Sequence, residues 1–302
     1  MSAARVAPKS YPWYYRPVEW LLLGLSYLPF PVLYAVARGF YLLLAYVVRY
    51  RKRVVLENLR NSFPEKSGAE IEKLAHQFYW HFSQVMVEVI KLATMPAAEL
   101  KRRVLFRNPE VLERHFANQR TVLGLSSHAG NWEWVLTSGA LWLSAHTDGV
   151  YKPLSNPFFE SFMYRLRTRM GSGLIPMRDT LRDMVQRKGE VRVVSMLSDQ
   201  AAGPEDRPYW TTFMNQDAGF YTSTERLATR FRCPVVYVSI RRLRQGYYEI
   251  VLTELYDGDS PLPANDFPLT AAFVHQLEQD IRLFPPDYLW THRRWKHKRV
   301  TE

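Results

Sequence analysis

Short apolar runs alternate with helix-length amphipathic segments along most of this chain, and that alternation restricts the fold more than any other feature. Thr121–Leu125, Val191–Leu197 and Pro234–Ile240 are compact apolar runs that fit buried strands. Tyr247–Thr253 alternates in polarity and predicts a strand nearer an edge. Helical spacing is seen over Ile71–Leu92, Val111–Phe116, Trp132–Leu143, Phe158–Met170, Thr180–Lys188, Thr222–Phe231 and Thr270–Phe284. Strands separated by helices predict an α/β domain with a mixed, mostly parallel sheet flanked by helices. In such sheets ligands gather beyond the C-terminal ends of the strands, and several chemically loaded segments fall at those ends.

The N-terminal part reads differently. Glu19–Arg49 is the most apolar stretch, interrupted by Pro29 and Pro31 and carrying Arg38 inside it. Val32–Val48 is close to the ~17 residues that a short spanning helix needs, but an arginine at mid-membrane is costly. Three readings follow: a kinked pair of anchor helices, an amphipathic helix lying in the interface, or a hairpin buried in a soluble core. A cleavable signal peptide fits poorly, because the apolar run continues past Ala35-Val36-Ala37 to Val48. Arg49, Arg51, Lys52 and Arg53 follow at once, and basic flanks stay on the cytoplasmic side. Tyr11, Trp13, Tyr14, Tyr15 and Trp20 suit an aromatic belt at the headgroups. The expected division is an anchor with its basic flank over 1–55 and a catalytic domain over 56–302. The 40 Lys and Arg exceed the 29 Asp and Glu, for a net charge of +11. Such a surface suits an anionic partner: nucleic acid, acidic protein, phosphate-bearing lipid or membrane. No nucleic-acid motif accompanies the charge. A single cysteine, Cys233, excludes an internal disulfide and a cysteine-based zinc site.

The segment with the sharpest chemistry is Ser126-Ser127-His128-Ala129-Gly130-Asn131-Trp132-Glu133. His128 falls on the turn after a buried strand, Gly130 permits a tight turn, and Asn131 is a good helix cap that puts Glu133 in the first helical turn. With His128 outside the helix, the two side chains can converge, so that Glu133 accepts from one ring nitrogen and leaves the other to take a proton from a hydroxyl. The plainer reading is a capping motif with an incidental histidine. A serine nucleophile is disfavoured, since the segment lacks the second glycine of a nucleophile elbow, and no ligand set for a metal is present. Tyr151-Lys152-Pro153 precedes a basic helix with Arg165, Arg167 and Arg169, any of which can clamp a phosphate or a developing oxyanion, or simply face solvent. Asp199, at the end of the strand Val191–Leu197, can orient an arginine or a substrate hydroxyl, or only begin a turn. The C-terminal Tyr288–Lys296 interleaves aromatics with bases; it can pack on the sheet with its bases toward anions, or form a basic tail.

Five blocks in this order resemble the bacterial lipid A biosynthesis acyltransferases, the late lauroyl- and myristoyl-transferring enzymes. They are Glu57-Asn58-Leu59-Arg60-Asn61-Ser62-Phe63-Pro64-Glu65-Lys66, the His128–Glu133 box, Val150–Pro157, Asp199-Gln200 and Leu289–Lys296. The first block and the wording around His128 look most like members from the Bacteroidetes. The resemblance implies a glycerolipid-acyltransferase-like α/β fold held by its N-terminus on the cytoplasmic face of the inner membrane. It implies transfer of a fatty acyl group from acyl carrier protein to a hydroxyl of an anionic glycolipid, a lipid A precursor, without cofactor or metal. It assigns His128 as general base and Glu133 as the residue that orients it. It places Arg167, with Arg169 close behind, together with Asp199 and Asn131 at the substrate. One departure is Trp210–Gly219, where many members carry a Phe-Phe-Gly-type segment; acyl length is left open by it. Two other readings share these residues: a same-fold acyltransferase acting on another phospholipid, glycolipid or aryl lipid, and a non-catalytic basic protein that binds membrane surfaces.

Overall fold

The computed structural model describes residues 10–263 and 266–299, so the first nine residues of the expected anchor lie outside it. Five helices come first: α1 (Arg16–Tyr27), α2 (Phe30–Leu42), α3 (Lys52–Ser62), α4 (Gly68–Lys91) and α5 (Ala97–Arg103). Strands and helices then alternate: β1 (Val104–Phe106), α6 (Glu110–Ala117), β2 (Val122–Ser126), α7 (Trp132–Trp142), β3 (His146–Tyr151), α8 (Pro157–Thr168), β4 (Gly173–Pro176), α9 (Thr180–Gln186) and β5 (Arg192–Leu197). A hairpin of β6 (Tyr209–Phe213) and β7 (Gln216–Phe220) follows, then α10 (Ser223–Phe231), β8 (Val235–Arg244), β9 (Tyr247–Tyr256) and α11 (Pro268–Leu283).

Seven strands form one sheet in the order β1-β9-β8-β2-β5-β3-β4. Every neighbouring pair is parallel except β8 with β9, so the expected mixed, mostly parallel sheet is what the chain forms. β9 lies one strand in from the edge, covered only by the three-residue β1. The central strands bury both faces, which is why they read as continuous apolar runs. Along them, alternate residues enter opposite cores. Leu123, Leu125, Val194, Val235 and Tyr237 join one cluster, and Val122, Val193, Val236 and Val238 join the other.

The sequence pattern did not disclose β3, β4, β1 or the β6–β7 hairpin. β3 is polar for a strand, reading His-Thr-Asp-Gly-Val-Tyr. Its Asp148 is buried and is held by Arg192 and Arg187, each at 2.8 Å. That charge pairing replaces the apolar signal by which buried strands are usually found.

The apolar N-terminal stretch is a broken helix pair. Leu28 is extended and Pro29 caps α2, so the chain turns there; beyond Leu42 the helix widens into a looser π turn over Leu43–Val47. Phe30–Val47 is long and apolar enough to cross a membrane, and most of its surface is exposed. Leu33 and Ala37 pack on Val87 of α4, while Val32, Leu42, Leu43, Tyr46 and Val47 point outward. The segment is therefore docked along one side only, not a hairpin enclosed by core. Arg165 of α8 pairs with Glu19 at 2.6 Å, and Tyr15 stacks on Phe158 at 5.3 Å, which fastens α1 to α8.

Trp134 of α7 is fully buried, with its indole N–H donating to the Glu88 carbonyl at 3.0 Å. Trp134→Ala is expected to cost about 3–5 kcal/mol of stability through the cavity it leaves. Denaturant unfolding of the purified protein in detergent, followed by circular dichroism, measures it.

Candidate active site

The site is built where the two central strands β2 and β5 end. They pair in parallel, with Ser126 opposite Leu197, and the ladder is extended by Ser198 N–H donating to the Ser126 carbonyl at 3.0 Å. His128 lies two residues beyond β2, and Asp199 two residues beyond β5. The register alone therefore sets them side by side, at the end of the sheet where α/β proteins bind ligands. His128 Nδ1 stands 2.8 Å from Asp199 Oδ1. Asp199 is almost wholly buried, and the histidine ring retains a small exposed edge. With Asp199 ionised, Nδ1 carries the donated proton and Nε2 keeps its lone pair. The Gln200 side-chain amide lies 3.4 Å from Nε2, and Trp132 meets the ring edge-on at 5.4 Å.

The expected His128–Glu133 contact is corrected by this geometry. Glu133 is in the first turn of α7, capped as expected by Asn131, whose Oδ1 accepts from the Trp134 N–H at 3.1 Å. Two residues past the cap, the helix turns Glu133 toward α8. There Arg167 takes both of its oxygens, through Nε at 2.7 Å and Nη2 at 2.6 Å. A forked guanidinium fills a carboxylate in a way one imidazole nitrogen does not. The acid hydrogen-bonded to the His128 ring is Asp199. Of the three candidate arginines, only Arg167 joins the cluster. Arg169 donates to the Met95 carbonyl instead, and Arg165 serves α1.

The tight turn carrying His128 is fixed from several sides. Gly130 has φ of +55°, and a Cβ there would lie 2.7 Å from Ile240 Cγ2, so glycine is required on both counts. Asn131 Nδ2 donates to Glu88 Oε2 at 2.8 Å. Glu88 is fully buried on α4 and also accepts from Tyr248 Oη at 2.7 Å and Tyr34 Oη at 3.0 Å. Burial pushes its carboxyl above the usual range, against the pull of those three donors. The C-terminal segment then crosses the turn: Gly130 N–H donates to the Asp287 carbonyl, and Leu289 N–H to the His128 carbonyl. Asn58 of α3 holds that segment in turn, its Nδ2 donating to the Trp290 and His292 carbonyls at 2.9 Å each. This is the physical link between the first and last of the five sequence blocks. Trp290 and Trp295 are buried, as is Arg294, whereas Arg293 and Lys296 face solvent. The segment is a packed strap with basic residues on its outer side.

Electrostatics follow from the pairing. Burial lowers the affinity of His128 for a proton, but the Asp199 carboxylate, with Glu133 behind it, outweighs burial and Arg167, and its pKa lies above the ordinary imidazole value. Asp199 is pushed up by burial and pulled down further by His128 and by backbone N–H groups, so it stays ionised. His292, on the strap, is held down at about 4 by burial and by the neighbouring cations, against the pull of Asp199. Among the described residues no cluster of three metal-ligating side chains occurs.

The family model for bacterial lipid A biosynthesis acyltransferases matches residues 8–297. The chain belongs to that family. It is an acyltransferase by membership, and it resembles several lipid A enzymes of Escherichia coli (strain K12). It is 26% identical over 285 residues to the lipid A biosynthesis lauroyltransferase, covering 92% of this chain and 91% of that one. It is 23% identical over 291 residues to the palmitoleoyltransferase, covering 96% and 92%. The myristoyltransferase is 23% identical over 255 residues, covering 79% and 73%.

Sequence reasoning placed His128, Arg167, Asp199 and Asn131 in one region but missed Glu88, Asn58 and Gln200 as its supports. Glu88 carried one available signal, an acid on the apolar face of a strongly amphipathic helix. Arg167→Met is expected to cost about 3–5 kcal/mol, because it strands a largely buried carboxylate. Removing both charges in Arg167→Met with Glu133→Leu should recover most of that loss, as a double-mutant cycle of unfolding free energies would measure.

Proposed function

We propose that this acyltransferase moves a fatty acyl group from acyl carrier protein to a hydroxyl of a lipid A precursor, as a late acylation, with His128 as general base oriented by Asp199. The observation that carries the reading is the 2.8 Å bond from His128 Nδ1 to Asp199, which leaves Nε2, 3.4 Å from the Gln200 amide, without a carboxylate partner at the C-terminal end of the sheet. The family match supplies the acceptor class.

The chemistry needs little else. His128 Nε2 takes the proton of the acceptor hydroxyl as its oxygen attacks the thioester carbonyl. The tetrahedral intermediate collapses with cleavage of the C–S bond, and the imidazolium returns the proton to the leaving thiolate. Asp199 stabilises the imidazolium between the two steps. Arg167 keeps one Nη outside its bond pair with Glu133, a donor for the oxyanion or for a substrate phosphate. No redox or cofactor step enters this transfer. The net charge of +11 supports an acidic carrier protein and a phosphorylated glycolipid as partners. The exposed apolar side of Phe30–Val47 and the basic run after it support attachment at the cytoplasmic face of the inner membrane, with 1–55 as anchor and 56–302 as catalytic domain.

His128→Ala and Asp199→Asn are each expected to keep the fold and lose about 10²–10⁴-fold in transfer rate. The assay offers acyl carrier protein thioesters of several lengths and a tetra-acylated, Kdo-bearing lipid A precursor, with the product read by mass spectrometry. Full activity in His128→Ala would sink the mechanism; transfer only to other polar lipids would move the acceptor within the same fold. Because protonated His128 is no base, the rate of the wild-type protein should fall about ten-fold per pH unit below its pKa. That limb should lie above the ordinary imidazole value of ~6.5, as a pH series of kcat/KM measures.

A further inference from the structure

The end of the sheet that carries His128 continues outward over β3 and β4 into a rim of exposed apolar side chains. β3 and β4 run parallel to β5 and so to β2, which puts their C-terminal ends at the His128 end. Tyr151 ends β3 opposite Pro176 of β4. The residues that follow, Lys152, Pro153 and Leu154 on one side and Met177 and Arg178 on the other, are exposed. Met177 is 56% exposed, and Leu181 and Val185 of α9 follow it at four-residue spacing, exposed as well. Thr180 and Met184 turn into the protein between them. Among the described residues, α9 thus buries one side and leaves a second apolar side facing outward.

Direct contacts join this rim to the N-terminal helices. Trp13 and Tyr14, both exposed, meet edge to face at 6.4 Å, and Tyr14 rests on Tyr15 at 4.8 Å. Tyr15 stacks on Phe158 and accepts a hydrogen bond from Asn156 Nδ2 at 3.0 Å. Phe158 meets the exposed Phe159 at 5.1 Å. Glu160, the next residue, accepts from the Leu154 N–H at 2.7 Å and from Tyr151 Oη at 2.9 Å, which fixes the turn after β3 against α8. The Tyr151 ring lies 5.9 Å from the guanidinium of Arg167, the partner of Glu133. One path of contacts therefore runs from the aromatics before α1, over α8, to the β3–β4 rim and the border of the active site.

The charges along the rim leave one sign over. Glu160 is taken by its two donors, Asp179 lies 3.6 Å from Arg178, and Asp183 is shared by Arg187 and Arg192. Lys152 and Arg182 are exposed and, among the described residues, pair with no carboxylate. Cations interleaved with outward apolar chains match an anionic bilayer, whose phosphates meet the cations and whose acyl boundary takes the apolar groups. The aromatics favour the bilayer over an acidic protein, because indole and phenol rings settle at the headgroup level.

We infer that this rim is a second membrane contact, built on the catalytic domain itself, which seats the C-terminal end of the sheet in the headgroup layer of an anionic bilayer. The inference rests on the proposed membrane attachment and adds an orientation to it. Phe30–Val47 holds the chain to the bilayer, and the rim fixes which face the domain turns toward it. His128 then opens at the level of the lipid headgroups, so that an acceptor lipid is acylated without leaving the bilayer.

The test uses the full chain in vesicles of phosphatidylethanolamine and phosphatidylglycerol. Cys233 is the single cysteine, so Cys233→Ala clears the background for one cysteine at a time, labelled with an environment-sensitive fluorophore. Phe159→Cys and Met177→Cys report the rim, Val47→Cys the anchor, and Lys188→Cys, exposed just before β5 begins at the far end of the sheet, is the control. Spin-labelled acyl chains in the vesicles are expected to quench the labels at 47, 159 and 177 and to leave 188 bright. Quenching at 47 with 159 and 177 behaving like 188 keeps the attachment and overturns the rim contact. Quenching at none of the four overturns the attachment and the inference with it. Shielding of 159 and 177 by added acyl carrier protein in place of lipid also overturns it. In the transfer assay, Met177→Asp with Leu181→Asp is expected to raise KM for acceptor presented in vesicles about ten-fold at unchanged kcat. A fall in kcat at unchanged KM would place these residues in the chemistry and overturn the seating.

Discussion

The parallel pairing of β2 with β5 is the contact on which the site depends. The chain leaves β2, makes β3 and β4 farther out, and returns to insert β5 between β2 and β3. Two segments some seventy residues apart therefore end together, and the matched register of Ser126 and Leu197 puts His128 within reach of Asp199. A slip of one residue would turn each side chain to the opposite face. Both strands are buried on both sides, so the register is held by the packing of Leu123, Leu125, Val193 and Val194 in two separate cores.

Around that pair, the protein spends its buried polar groups on stiffness. Glu88 ties together four elements: α4, which bears it, the Asn131 cap of α7, Tyr248 of β9 and Tyr34 of α2. Asn58 ties α3 to the strap, and the strap ties back to the His128 turn. The outward-facing apolar helix α2 is thus joined to the His128 turn through a single buried carboxylate. A satisfied buried network of this kind costs desolvation and returns a fixed geometry, which is what proton transfer between aligned atoms requires.

Much of the frame was legible because it follows from local rules. β2, β5 and β8 are written as continuous apolar runs buried on both faces, and α4, α7, α8, α10 and α11 at a period of 3.6 residues. The proline break, the Asn131 cap and the glycine turn rest on single-residue chemistry. β3 escaped because Asp148 and its arginines replace apolar burial, and β1 and β4 because three or four residues carry too little pattern. The sequence blocks around Asn58, His128, Asp199 and Trp290 meet at one place, but no spacing rule shows that Asn58 reaches the backbone of Trp290 and His292.

By itself the sequence determined the fold class, the proline-broken apolar stretch near the N-terminus, and the short list from which the site is drawn. Which acid serves which partner was decided only in three dimensions. On the chain Glu133 is five residues from His128 and Asp199 is seventy-one away, yet helix rotation sends Glu133 to Arg167 while strand register brings Asp199 to the ring. The burial of Arg294, in a segment whose sequence fits either packing on the sheet or a basic tail, was likewise set by tertiary packing. Hydrogen-bond partners are fixed by direction and distance, and those quantities exist only after the strands are laid side by side.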